Sequence, residues 1–233
     1  MKKILFTAAL AVALTACGSH HRAHGSVSDS EVSGLSPDER AGIDAARAEV
    51  TQADQAEAQA RADIEVEKRT VDVSSQEVKR AKAELAISET NMKSATEGGN
   101  SDEMIAAKQR REHARGQLEY QKAELSHQEA ELDLGRAKLA EAQAWEFFAS
   151  AKVELEKAKA LTHKTGDASP DTQVKLAKAE QQSANANLKH ANARATTSRA
   201  QKRAEKLKAE ADTLKAAIPT APMASAGSTG PNQ

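Results

Sequence analysis

Residues 43–95, IDAARAEVTQADQAEAQARADIEVEKRTVDVSSQEVKRAKAELAISETNMKSA, decide how this chain folds. Taken at every seventh position, the stretch reads Ile43, Val50, Glu57, Ile64, Val71, Val78, Leu85 and Met92. Seven of these eight are apolar, the mark of a heptad a position. The matching d series, Ala46, Ala53, Ala60, Glu67, Ser74, Ala81, Ser88 and Ala95, is nearly all small. A large residue every seventh position, with a small one between, predicts a long helix packed along its whole length.

Punctuation bounds that helix. Ser36-Pro37-Asp38-Glu39 carries an N-cap, a proline suited to the first helical position and the capping-box spacing. Glu97-Gly98-Gly99-Asn100-Ser101 is the first breaker, with Ser101 expected as the next N-cap. Thr165-Gly166-Asp167-Ala168 is the second, and Ser169-Pro170-Asp171 repeats the first start signal. Pro219 and Pro222 then end the third helix. Helices are expected near 37–96, 102–164 and 170–217, forming a coiled-coil rod over 36–217, with 218–233 a disordered tail. At 1.5 Å per residue they are roughly 90, 95 and 70 Å long, so they must pack side by side.

The second helix has its own pair of seams. Met104, Arg111, Leu118, Leu125, Leu132, Leu139, Glu146 and Val153 lie beside Ala107, Ala114, Gln121, Gln128, Gly135, Ala142, Ala149 and Glu156. An antiparallel hairpin turning at Gly98-Gly99-Asn100 pairs residues whose numbers sum to 199. Met92 then meets Ala107, Leu85 meets Ala114, Ile64 meets Gly135 and Val50 meets Ala149. In the alternate layers Ala81 meets Leu118, Ala60 meets Leu139 and Ala46 meets Val153. One large and one small side chain per layer lets the helices approach closely without voids.

The third helix is expected to complete an all-α, up-down-up three-helix rod, the competing picture being a hairpin with a loosely attached or partner-recruited third helix. Its seam is alanine-rich: Ala186, Ala193, Ala200, Leu207 and Leu214, beside Ala204, Ala211 and Ile218. Residues 170–217 hold ten basic and five acidic side chains, against nine and fourteen in 37–97. That balance predicts the third helix alongside the first, with each exposed pair contributing only about 0–1 kcal/mol.

Composition agrees. Of 233 residues 39% are hydrophobic, 29% charged and 2% aromatic, too few large apolar groups for the thick core of a compact enzyme. A lone cysteine forms no internal disulfide. No phosphate loop, catalytic triad or metal-ligand spacing emerges, so neither an enzyme nor a cofactor is expected, nor a small-molecule substrate. Both charge signs are interspersed, which gives no case for nucleic-acid binding.

The beginning of the chain carries a different signal. Lys2 and Lys3 precede an apolar run through Leu14, which is too short to span a bilayer as a helix but suits a secretory signal. The run ends in Leu14-Thr15-Ala16-Cys17, which resembles the lipobox of bacterial lipoprotein precursors. The resemblance implies a signal peptide over 1–16, diacylglyceryl and acyl (palmitate-type) chains on Cys17, and attachment to a membrane through that residue. Gly18 follows Cys17 where an aspartate would retain the protein at the inner membrane. By the proteobacterial rule this implies an outer-membrane anchor facing the periplasm. Residues 17–35 then form the lipid anchor and its tether. From Gly18 on, the Ser/Gly/His-rich segment shows no helical period and is expected to be flexible and solvated, with His20, His21 and His24 lacking nearby acidic or thiolate co-ligands.

Polar and aromatic residues interrupt the pattern. Glu57, Glu67, Arg111 and Glu146 fall on seams in layers expected to lie far apart, where they snorkel or set register. Trp145, Phe147 and Phe148 fall within four residues and cannot all face one seam. They either thicken the junction with the third helix or offer a partner contact. The expected function is a non-enzymatic envelope spacer, scaffold or tether with an envelope protein partner or self-association. An accessory role in an export or efflux assembly is the other reading, because long alanine-rich hairpins resemble those of periplasmic adaptor proteins. The strand-rich domains of that family are lacking. The small murein lipoprotein also combines a lipidated cysteine with heptads, but it ends in a lysine where this chain has Gly230-Pro231-Asn232-Gln233.

Overall fold

Capping chemistry sets each helix boundary in the computed structural model, which describes residues 27–164 and 169–220. Its four helices are α1 (Asp29–Val32), α2 (Pro37–Gly98), α3 (Ser101–Lys164) and α4 (Pro170–Ala216). Ser36 caps α2 through a full capping box: its Oγ accepts from the Glu39 amide, and its own amide donates to Glu39 Oε2 at 2.7 Å. Ser169 caps α4 by accepting from the Thr172 amide at 3.3 Å. The start of α3 differs from expectation by one residue. Asn100, rather than Ser101, accepts from the Asp102 and Glu103 amides at 3.0 and 3.4 Å. The turn before it needs a left-handed residue, and Gly99 supplies it at φ 69°.

The α2–α3 hairpin follows the expected register. Every buried residue of α2, namely Ile43, Ala46, Ala53, Ala60, Ile64, Ser74 and Ala81, lies on one of the two sequence-read seams. A Cβ placed on Gly135 would stand 3.3 Å from Ile64 Cγ1, so these two residues share a layer. The close approach depends on glycine at that position.

The placement of α4 overturns one expectation. It packs along α3, and α2 and α4 do not pack against each other along their length. Its register is set by Phe148 against His190, Arg203 near Asp133 and Lys215 over Tyr120, with paired numbers adding to about 336. The physical reason is a second small-residue seam on α3: Gly116, Ala123, Ala130, Ala137, Ala144, Ala151 and Ala158, uninterrupted over seven heptads. Beside it run Tyr120, His127, Leu134, Phe148 and Leu155. This seam lies two residues, or roughly 200° of helix, from the one that meets α2. Thus α3 is the middle helix, with α2 and α4 on nearly opposite faces. Burial against that long seam outweighs the net charge balance between α2 and α4.

Two other boundaries shift. Residues 27–35, expected within the flexible tether, are folded: Val27, Val32 and Leu35 are buried against the rod. Residues 218–220, expected in a disordered tail, turn back on α3, where His113 Nδ1 donates to the Pro219 carbonyl at 2.6 Å. At that level α4 is finished, and among the described residues the α2–α3 hairpin continues alone for about 15 more, roughly 22 Å. The molecule therefore has a three-helix base and a two-helix tip.

Candidate functional site

At the base, a short chain segment draws the three long helices together. Ser28 caps α1 with a capping box, accepting from the Glu31 amide at 3.3 Å while its amide donates to Glu31 Oε2 at 2.7 Å. That turn aims Val32 and, just beyond it, Leu35 inward. With Val27 they join Ile43 and Ala46 of α2, Val153 and Ala158 of α3, and Ala179 of α4 in one buried cluster. Ile43 is 1% exposed, the best-buried large side chain in the described residues.

Polar contacts secure this clasp from above. The Val27 amide donates to Glu154 Oε2 at 3.0 Å. Lys157 Nζ is 3.0 Å from both Glu154 Oε1 and Asp29 Oδ1 and 3.5 Å from the Val27 carbonyl. Arg47 and Lys175 pair with Asp29 and Glu31 from α2 and α4, at 3.0 and 2.9 Å. Lys164 donates to the Gly34 carbonyl at 3.0 Å. The Lys157 hydrogen bond and charge hold the Asp29 carboxyl below its ordinary range. Lys175 acts likewise on Glu31, with help from the Ser28 amide. Burial opposes the charge on Lys157, yet bonds to Asp29 and Glu154 raise its pKa above the ordinary lysine value. A lysine that is 7% exposed keeps its charge because two carboxylates share it.

The aromatic cluster is divided by the structure. Phe148 is half-buried and stacks on His190 of α4, with centroids 6.0 Å apart. Phe147 is 52% exposed, with Lys189 Nζ 5.0 Å above its ring. Trp145 is half-buried and lies about 200° around the helix from Phe147, on the other broad side of α3. The three rings therefore do not form one contact surface. Two of them meet α4, as the junction reading anticipated, and Phe147 remains open to solvent on one side.

One polar layer also differs from expectation. Glu57 and Glu146 are brought together rather than kept apart, because one helical turn separates them in the hairpin register. Gln143 donates to Glu57 Oε1 at 3.0 Å and Arg61 Nη2 at 2.6 Å, and Glu146 reaches the same carboxyl. These bonds, Gln143's first and Arg61's next, hold Glu57 below the usual carboxylate range. Glu67 instead lines an open groove with Glu131 and Lys138, and Arg111 lies half-buried toward the tip.

His127, expected at the surface like His113, His163 and His190, is instead 8% exposed under α4 with Nε2 3.3 Å from Glu131. Its position on the second α3 seam was the available signal. Among the described residues no group of three or more His, Cys, Asp or Glu side chains is arranged to hold a metal ion, and no helix is long and apolar enough to cross a membrane. Cys17 and the histidines at 20, 21 and 24 lie outside the described residues. The grooves between α2 and α3 are open to solvent. Comparison with protein-family models, with curated proteins and with solved structures returned no match.

Proposed function

We propose that this protein is a lipid-anchored envelope lipoprotein that acts as a non-enzymatic spacer or scaffold, attached at its base and presenting its hairpin tip away from the membrane. The observation that carries the reading is the clasp. Val27 is bound into the rod only ten residues after Cys17, and ten residues span at most about 36 Å. A lipid on Cys17 thus keeps the three-helix base close to the membrane, whatever path the intervening residues take. The rod then reaches roughly 95 Å from base to tip. Two or three acyl chains hold such a protein almost permanently, where one chain would not. By the rule read from Gly18, the membrane is the outer one and the rod faces the periplasm.

The export-accessory reading gains support from the tip. There α4 has ended, and Ile87 and Ile105 of the bare hairpin are 61% and 55% exposed. A helical hairpin with exposed isoleucines suits docking on another helical protein.

Site-specific photo-crosslinkers at Ser33 and Asn100 test the reading in cells. The base probe is expected to capture lipid or proteins of the anchoring membrane, and the tip probe a different set. Identical capture at both ends would contradict the spacer reading, and an exporter component captured only at the tip would favour the accessory one. Globomycin is expected to leave unprocessed precursor, and Cys17→Ser to move the protein from the membrane to the soluble fraction. Membrane retention of Cys17→Ser would contradict the lipid anchor.

A further inference from the structure

We propose that the outer face of α2 is a docking surface for the outer face of α4 of a second copy of this chain, so that molecules associate edge to edge. With α3 in the middle, both outer helices present a face that no other described residue covers.

On α2 that face follows heptad spacing. Val66 and Val73 are 59% and 60% exposed, and the seam continues through Ala62. Arg69 and Arg80 lie on it, bordered by Glu65, Asp72, Glu77 and Glu84. On α4, Val174 and Leu188 are 67% and 62% exposed, with Ala177, Ala184 and Ala191 interleaved. Scattered surface apolar residues are ordinary, but large ones in heptad register on a face lined by alanine form a packing seam. The covered seams of α2 and α3 are built the same way.

Charge selects the occupant. Residues 37–97 hold nine basic and fourteen acidic side chains, and 170–217 hold ten and five, a difference of minus five against plus five. The middle helix is nearly balanced, with eleven basic and twelve acidic residues between 101 and 164. The molecule is thus acidic along one edge and basic along the other. Two α2 edges repel, as do two α4 edges, whereas α2 against α4 attracts. Arg199, Lys202 and Lys206 of α4, like Asp54, Asp72 and Glu89 of α2, have no ion-pair partner among the described residues.

Direction and height also agree. Both helices run from base to tip, so copies standing on one surface meet in parallel. The two antiparallel registers set Leu188 at about the height of Val50, beside Ala48 and Gln52 of the neighbouring α2 face. Leucine against alanine repeats the large-on-small layers found inside the rod. The contact is heterologous, so it propagates into rows or closes into rings. The association does not depend on the lipid anchor.

The chain carrying Cys17→Ser tests this in solution. Sedimentation velocity over a micromolar to near-millimolar series is expected to show concentration-dependent oligomers that weaken with added salt. Val66→Lys with Val73→Lys is expected to weaken association by about tenfold or more, with helical circular dichroism unchanged because both positions are exposed. For geometry, Gln52→Cys and Leu188→Cys chains are mixed under mild oxidation. The mixed disulfide is expected to exceed either homodisulfide by roughly fivefold or more. A monomer throughout the series, oligomers untouched by the lysine pair, or a dominant homodisulfide of either cysteine variant would each overturn the proposal.

Discussion

The base and the tip of this rod are built from the same heptad pattern, yet they are packed differently. At the base, α2, α3 and α4 converge on Val27, Val32 and Leu35, with Ile43 and Ala46 almost wholly excluded from water. Toward the tip, no residue of α2 beyond Ala81 is buried, and α3 contributes only Ala107 and Ala114 before the third helix joins. A two-helix seam shields one stripe of each helix, whereas a third helix and a cross-strapping segment enclose it. Stability should therefore be graded along the rod, with local opening easiest toward the tip.

The largest effect should come from Ile43→Ala, at about 2–5 kcal/mol, because a fully buried isoleucine leaves a cavity. Leu85→Ala, in the two-helix part of the same seam, should cost clearly less. Urea denaturation of the two variants measures the difference, and equal losses would abolish the distinction between base and tip.

Next comes the hairpin register. Gly135→Leu should destabilise by about 1–3 kcal/mol, because any Cβ there already crowds Ile64. Ile64→Ala in the same chain should recover much of that loss, and a double-mutant cycle with no coupling would refute the shared layer. A cysteine pair at 64 and 135 should also cross-link.

Smaller and more local is the clasp. Lys157→Ala leaves Glu154 and the Val27 carbonyl without their cation, a penalty of about 1–3 kcal/mol confined to the base. Amide exchange should quicken over 27–35 while the α2–α3 seam keeps its protection. Acid should act in the same direction. Asp29 has a lowered pKa in the folded chain, so its contribution is present above the ordinary value of 3.8. That contribution is lost as pH falls through the lowered value. Lys157 has a raised pKa, so its contribution is complete below 10.5 and fades only as pH rises through its raised value. Clasp protection that stays constant from pH 7 to pH 2 would show that these pairs do not hold it.

Smallest of all is the contrast within the aromatic cluster. Phe148→Ala should cost about 1–2 kcal/mol through its half-buried ring and the His190 stack. Phe147→Ala, exposed beneath Lys189, should stay under about 1 kcal/mol. The reverse order would mean that Phe147 is the buried anchor.

These contrasts also mark how much the sequence made legible. The α2 seams could be read residue by residue, because burial there is a direct consequence of the heptad. The position of α4 was equally present, in the alanines from 123 to 158, but net charge pointed elsewhere. Exposed charges at about 0–1 kcal/mol per pair do not override a continuous packing seam. The clasp was not legible. Val27, Val32 and Leu35 are too few to show a period, and their burial depends on where three helices converge. The same holds for Lys157, which reads as an ordinary surface lysine until Asp29 and Glu154 are brought to it. His127 lies between these cases, marked by the second seam yet given meaning only by α4 above it.

The central claim is that α3 is the middle helix, with α2 and α4 on nearly opposite sides of it. Spin labels on the outer faces at Val66 and Lys202, diluted with unlabelled protein in high salt, measure it directly by pulsed electron resonance. Adjacent packed helices have axes about 8–10 Å apart, so two spacings put α2 and α4 about 16–20 Å apart, with the outward labels farther still. A distance distribution beyond that separation is the expected result. A single narrow distribution near one helix spacing would place α4 against α2 and contradict the account.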